Sequence, residues 1–511
     1  MKQLVFISIL ILGCTIFCTN KSVAMSLCSG LPQEKVKDKE SDKNKDDKVP
    51  LTPISADPNE AFFGSRIQRT MTLLATSDKS HRNTVRILCY GQSIVAQGYV
   101  SRAIEKDLKQ RYPFANIILE NRAIGGYTSP TLVRTAVHDL YSFYPDLIVF
   151  HVYDGHDTGE LERIVSNIRR YTTAEILMWT HHFDSFGPDG TERDAIRDQG
   201  SNFRRYLAQK YNCELVELRE EWRNYLKINT IPRADLLIDN IHLNDKGGAL
   251  QAQFVMRHFR YNTLFPSCWM NMVRIYEARR PLEERTDEIM FSGKPWRRAG
   301  KGVVGEKTNS ALKLAFHGNR VDVTAFPLDG KPGTAKILID GKSPSSFVNA
   351  YTLTRTNKNP VSGRPMLNRV NLGKKPIAED WTINVSNIST DGKSFRFTLV
   401  GSVTGPDGEG TQEEFFTSKS GRISFDPTEF TFAAAVGQTK KPFPGEVTIT
   451  FQTRLMGMDV WAPSPKPEEG CIDSYTLIQG IENKEHTLEI MPNGDGAVPV
   501  YEVVIYRPPM E

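Results

Sequence analysis

From residue 85 to residue 259 the chain alternates short apolar runs with longer amphipathic ones, and this rhythm limits its fold more than any other feature. The runs 85–90, 116–119, 147–152, 174–179 and 214–218 read as strands. The stretches 100–112, 129–141, 160–170, 193–211 and 246–259 carry apolar residues at helical spacing. Strands that are apolar almost throughout, each followed by a helix, predict a parallel sheet covered on both faces. Phe63, Ile67, Met71 and Leu74 recur at helical spacing just before the first strand, so the folded part is expected to begin near Asn59.

The rhythm changes after about residue 264. Gly, Pro and Thr become frequent, and alternating runs such as 312–316, 321–325, 447–451 and 501–506 replace the helical windows. Turn pairs such as Asp340-Gly341 separate them. An all-β sandwich is predicted for 264–511, with 352–444 as an insertion or a second β unit.

The N-terminus reads as an export signal over 1–24. Lys2 supplies the charge, residues 4–18 the apolar stretch, and Ser22-Val-Ala24 a small-x-small cleavage site. A second reading is a lipoprotein signal, with Cys14 after Leu12-Gly13 as the acylated residue. Either places the mature chain outside the cytoplasm, secreted, periplasmic or at the cell surface, and the second adds a membrane tether through lipid alone. Residues 34–48 are almost purely Lys, Asp, Glu, Asn and Ser; such a stretch cannot bury a core, and 25–58 is expected to be a charged, disordered spacer. The α/β segment is therefore 59–263.

A formal net charge of +4 on 64 basic and 60 acidic groups is too small to define a nucleic-acid or membrane surface. The cysteines form no C-x-x-C pair, so neither a zinc site nor a redox motif is indicated. Cys89 and Cys213 lie in apolar runs and are expected as buried thiols.

In a parallel α/β sheet, sites form at the carboxyl ends of the strands. The candidate polar groups all fall there. Gly91-Gln92-Ser93 ends the first strand, and Asn121-Arg-Ala-Ile-Gly-Gly126 follows the second. The segment His151 to Asp157 follows the third, and His181-His182 the fourth. Asp239-Asn-Ile-His242 precedes the last helix. A serine at a strand-to-helix turn and a late Asp-x-x-His supply a nucleophile, a base and the group that orients the base.

These blocks, in this order over residues 82–262, resemble the SGNH (GDSL-type) hydrolases. Gly91-Gln92-Ser93 is similar to the first block, with Gln where Asp is usual, as among carbohydrate acetylesterases of that family. Gly126 matches the glycine of the second block, and Asp239 and His242 the fifth. The third block departs from the pattern. It reads Tyr153-Asp-Gly-His-Asp157, with Gly155, or His156 after a one-residue shift, at the asparagine position. The resemblance implies a flavodoxin-like α/β fold and Ser93, His242 and Asp239 as the catalytic triad. It implies an oxyanion hole from the backbone of Ser93 and Gly126, with His156 as the added donor. The helix after Ser93 would add its N-terminal dipole.

No metal or other cofactor is called for. His181 and His182 are candidates for substrate binding, against the plainer reading that one is buried and one exposed. His151 is expected as a core residue. The implied activity is hydrolysis of a short acyl ester, acetyl first, on a carbohydrate. An O-acyltransferase using the same triad and a non-catalytic glycan-binding protein are the alternatives. The β region resembles the jelly-roll modules attached to carbohydrate esterases, on 336–341 and 486–490. Trp461 would stack on sugars there if exposed, or fill a core.

Overall fold

The computed structural model describes residues 51–265, 272–278, 289–293, 296–300, 302–328, 330–464 and 474–510. The expected export signal, the charged stretch behind it, Cys28, Cys268 and Cys471 lie outside the described residues.

Five strands form the parallel sheet: β1 (Thr84–Gly91), β2 (Asn116–Asn121), β3 (Leu147–His151), β4 (Glu175–Trp179) and β5 (Glu214–Val216). Their order is β2-β1-β3-β4-β5, all neighbours parallel. Eight helices accompany them: α1 (Gln68–Ala75), α2 (Ser93–Ala96), α3 (Tyr99–Arg111), α4 (Ser129–Ala136), α5 (Glu160–Tyr171), α6 (Asp194–Lys210), α7 (Leu218–Asn229) and α8 (Asp245–Met256).

The pleat sorts side chains between two cores. Val85, Ile87 and Cys89 of β1 pack with Met71, Ile104, Trp222 and Phe254 on one face. Leu88 and Tyr90 pack with Leu132, Ile164 and Leu207 on the other. Successive residues of one strand thus serve opposite layers, and every residue of β3 and β4 is buried. The predicted flavodoxin-like α/β class is what the chain forms.

Three details differ from the sequence expectation. Helix α7 was not anticipated, although Leu218, Trp222, Tyr225 and Leu226 have helical spacing and are buried. Residues ahead of Asn59 are already engaged, for Leu51 and Ile54 pack against the first core. The helix expected after Ser93 is one turn, α2, followed by a break at Gly98 and then α3. The dipole available at Ser93 is that of a single turn.

The β region has two cores rather than one. The larger sheet contains Ser310–Thr324, Ala335–Ile339, Ser474–Pro492 and Glu502–Tyr506 among its strands. The runs 312–316 and 321–325 belong to one long strand with an irregular register at Gly318 to Arg320. Trp461 has no exposed surface and packs beside Tyr475 in this core, so it is no sugar platform. The second unit is a five-stranded antiparallel sheet that includes Tyr351–Leu353, Glu379–Ser386, Arg396–Gly401 and Val447–Leu455. Its own core gathers Trp381, Phe397, Phe425 and Phe432. It closes against the α/β domain, where Arg355 forks onto Asp139 at 2.7 Å and Arg134 meets Glu429 at 3.1 Å.

The reversal of strand order between β1 and β3 opens the crevice in which such sheets place their sites. Gly91 makes it narrow. Its φ is +149°, and a Cβ there would lie 1.9 Å from the His151 carbonyl oxygen. Only glycine lets the two strand ends approach this closely. Gly91→Ala should therefore destabilise the protein by about 3 kcal/mol or more, read as a lower urea midpoint. Gly437→Ala, in a helix with nothing within 4 Å of the added methyl, should stabilise it by about 0.5–1 kcal/mol.

Candidate active site

Chain reversal after β1 sets Ser93 at the crevice. Gln92 caps the turn that follows: its side-chain Oε1 accepts the Ile94 N–H at 2.7 Å. Ser93 is half-buried.

The opposite wall is the loop before α8. Asp239 Oδ1 accepts the backbone N–H groups of Ile241 and His242, both at 2.7 Å, which curls the loop on itself. The curl aims both side chains the same way. His242 Nδ1 lies 2.8 Å from Asp239 Oδ2, and His242 Nε2 lies 2.9 Å from Ser93 Oγ. A carboxylate can only accept, so Nδ1 carries the proton and Nε2 presents its lone pair to the serine. Burial works to raise the Asp239 pKa. The backbone N–H and imidazole of His242 and the N–H of Ile241 outweigh it and bring the carboxyl down to about 2. Asp239 is therefore ionised at ordinary pH. Ser93 Oγ has a second acceptor within 2.9 Å, Gln92 Oε1, so its single proton is shared between Gln92 and His242 in the resting site.

The second block lies on the other side of the serine turn. Ile124 donates its N–H to Gly91 O at 2.9 Å, and Arg122 to Cys89 O at 2.9 Å. Asn121 ties the loop to Val95 O at 2.8 Å. Gly126 is exposed with φ +73°. A side chain there would be strained, and its Cβ would fall 1.8 Å from Nη2 of Arg364, which reaches in from the β insertion. Arg364 was not among the residues singled out from sequence. Nothing local marks an arginine more than 200 residues downstream as a neighbour of Gly126.

The third block has little room for a side chain at Gly155. A Cβ there would lie 2.5 Å from Ser129 Cβ. His156 is half-buried in the same turn, and among the described residues no hydrogen bond links it to Ser93, Gly126 or His242.

His181 and His182 are both buried, at 2% and 1% exposure, which corrects the expectation that they line a substrate surface. They support the site from beneath. Gln92 Nε2 donates to His151 Nδ1 at 2.9 Å, and His151 Nε2 lies 3.1 Å from His181 Nδ1. His182 Nε2 donates to the Ile241 carbonyl at 2.8 Å, inside the Asp239-to-His242 loop. His182 therefore positions the base through its loop. Tyr153 stacks on His181, and its hydroxyl lies 3.3 Å from His182 Nδ1. Burial, with Arg204 and Arg197 adding to it, holds His151 and His181 well below the usual imidazole range. Burial likewise brings His182 down to about 4, against the pull of Asp184 and of the Ile241 hydrogen bond. All three are neutral bonding groups.

Among the described residues no group of three or more His, Cys, Asp or Glu side chains is placed to hold a metal ion, and no helix is long and apolar enough to cross a membrane. Cys89 and Cys213 are buried thiols.

No family model and no curated protein matches the chain. Solved structures do. The acetyl xylan esterase AlAXEase is 24% identical over 34% of this chain and 98% of its own, with a TM-score of 0.31. A two-domain esterase (CEX) active on acetylated mannans is 15% identical over 88% of this chain and 96% of its own, with a TM-score of 0.32. Axe2, an acetylxylan esterase from Geobacillus stearothermophilus, is 20% identical over 36% of this chain and 98% of its own, with a TM-score of 0.31. Likenesses this distant carry no argument about function. The parallel sheet and the geometry at its carboxyl end stand on their own.

The buried histidines set a pH dependence of stability. Unfolded, each takes up a proton near its ordinary pKa of 6.5, while folded it resists protonation. The unfolded state then binds more protons, so stability is full above that pH and falls as the pH drops towards the depressed folded values, by up to about 1.4 kcal/mol per pH unit for each histidine. Urea titrations at about pH 7.5 and about pH 5.5 should show this fall. His182→Asn should show a shallower one. If its amide still reaches the Ile241 carbonyl, His182→Asn should also lower the unfolding midpoint less than His182→Ala.

Proposed function

We propose that this protein is a serine esterase of the SGNH type that hydrolyses short acyl esters, acetyl first, on a carbohydrate. The observation that carries the reading is the hydrogen-bonded line from Ser93 Oγ through His242 to Asp239, at 2.9 and 2.8 Å. A neutral imidazole with its lone pair on a serine hydroxyl and its N–H on a carboxylate is the arrangement that removes a proton during attack.

In this reading Ser93 attacks the ester carbonyl as His242 Nε2 takes its proton. The same proton passes to the leaving sugar hydroxyl, and the acyl group stays on Ser93. Water, deprotonated by His242, then releases the acid and restores the serine. Asp239 keeps the imidazole tautomer and stabilises the imidazolium that forms. The backbone N–H groups of Ser93 and Gly126 receive the oxyanion, with His156 as the side-chain donor where the third block lacks its asparagine. The carbohydrate acceptor rests on the block pattern, on the expected export and on the β region. The export signal puts the enzyme outside the cytoplasm, free or tethered through Cys14.

The test is direct. Purified protein should release acetate from an aryl acetate and from acetylated oligosaccharides. Ser93→Ala should lower kcat by at least about 10⁴-fold and leave the unfolding midpoint unchanged. Asp239→Asn should lower it on the order of 10⁴-fold by favouring the wrong tautomer. Transfer of acetyl to an added sugar in place of water would make the protein an O-acyltransferase. Equal inactivity of wild type and Ser93→Ala on every ester, with glycan binding retained, would make it a binding protein.

A further inference from the structure

Arg364 reaches from the β insertion to the rim of the cleft at Gly125 and Gly126, and it is held there by construction. Its loop is fastened by Asn359, which is buried. Asn359 Oδ1 accepts the N–H groups of Val361 and Ser362, its Nδ2 reaches Thr431 Oγ1 at 3.0 Å, and its backbone N–H meets the Arg364 carbonyl at 2.6 Å. The side chain then crosses to the α/β domain. Nε donates to the Gly125 carbonyl at 3.0 Å, and the guanidinium carbon stands 5.3 Å from the centre of the Tyr127 ring. Nη2 fills the space that only the absent side chain of Gly126 leaves open.

The fixed half of the guanidinium leaves the other half idle. Arg122, Arg134 and Arg355, from the same junction, are each paired with a carboxylate, Glu120, Glu429 and Asp139 respectively. Among the described residues Arg364 has no such partner, and neither η nitrogen makes a hydrogen bond. A half-buried guanidinium with one edge anchored and the η edge free is pre-organised for a planar, two-oxygen acceptor. The anchor is the loop that follows β2, whose Ile124 is hydrogen-bonded to Gly91 two residues before Ser93. The free edge therefore lies at the rim where an acylated sugar would seat.

We propose that Arg364 is a specificity residue that receives a carboxylate of the substrate, so that the esters processed here are carried by acidic sugars of the uronate class. The proposal rests on the esterase reading for its word ester, and on the geometry of Arg364 alone for the carboxylate. The carboxylate on the opposite wall is already engaged, for Asp239 is bonded to His242 and to the N–H groups of its own loop, so the free edge of Arg364 is left for a sugar acid to meet.

Two measurements on the full chain test it. The first compares kcat/KM on O-acetylated trigalacturonate with that on O-acetylated xylotriose. The wild type should favour the acidic ester by about 10–100-fold, the span expected for hydrogen bonds to a charged group. Arg364→Ala should abolish that ratio, and Arg364→Lys, a charge without the fork, should keep part of it. Their unfolding midpoints should match wild type. The second measures equilibrium binding of unacetylated trigalacturonate to Ser93→Ala protein, with and without Arg364→Ala. The double variant should bind at least about tenfold more weakly, and added salt should narrow the gap.

A wild type with no preference for the acidic ester overturns the proposal. So does an Arg364→Ala variant that slows both esters by one factor with binding unchanged, since the guanidinium would then serve the reaction itself or its loop. If no ester is turned over at all, the esterase reading falls and the binding measurement decides alone. Arg364-dependent uptake of the uronate upholds carboxylate docking, and its absence ends it.

Discussion

The side chain of Gln92 joins Ser93 to the body of the protein. Its carbonyl oxygen accepts from Ile94 and from the Ser93 hydroxyl, and its amide nitrogen donates to His151. One residue thus closes the turn, sets the serine and anchors both to a buried imidazole. An aspartate could accept the first two bonds but has no N–H for His151. The departure from the usual aspartate and the buried histidine therefore belong together. The imidazoles that follow keep a fixed direction of donation from Gln92 to His151 to His181, which a protonated ring would break.

The second wall is built by a different device. The Asp239-to-His242 loop is held from inside by two hydrogen bonds to its own carboxylate and from outside by His182 on the Ile241 carbonyl. Asp239 and His242 remain partly exposed, with side chains about half and about a third open. Precise aim here comes from local bonding rather than from burial. This suits a site that stays open to solvent.

Much of this was legible in the sequence because it depends on short-range pattern. The strand and helix rhythm of 85–259 follows from packing one apolar face against another, and the Asp-x-x-His spacing follows from a single curl of chain. What escaped depends on distance along the chain. His151, His181 and His182 look alike in sequence, yet their roles come from Gln92 on a neighbouring strand end and from a carbonyl some 60 residues away. Arg364 meets Gly126 only because the insertion folds back across the domain. The extra helix at Leu218–Asn229 was different: its spacing was present, but the strand run at 214–218 overlapped its first turn and hid where it began.

The seam between the insertion and helix α4 has a consequence for how the molecule comes apart. At the end of that helix, His138 is buried. Its Nδ1 donates to the Leu353 carbonyl at 3.0 Å and its Nε2 accepts from the Val370 amide at 3.2 Å. Stripping the insertion away would remove the bonding partners of the His138 imidazole and of the Asp139 carboxylate. The insertion is therefore not a detachable accessory riding on a finished α/β domain. The cleft rim and the insertion should unfold together, so amide exchange at Val370 should track the opening of the α/β domain beneath it.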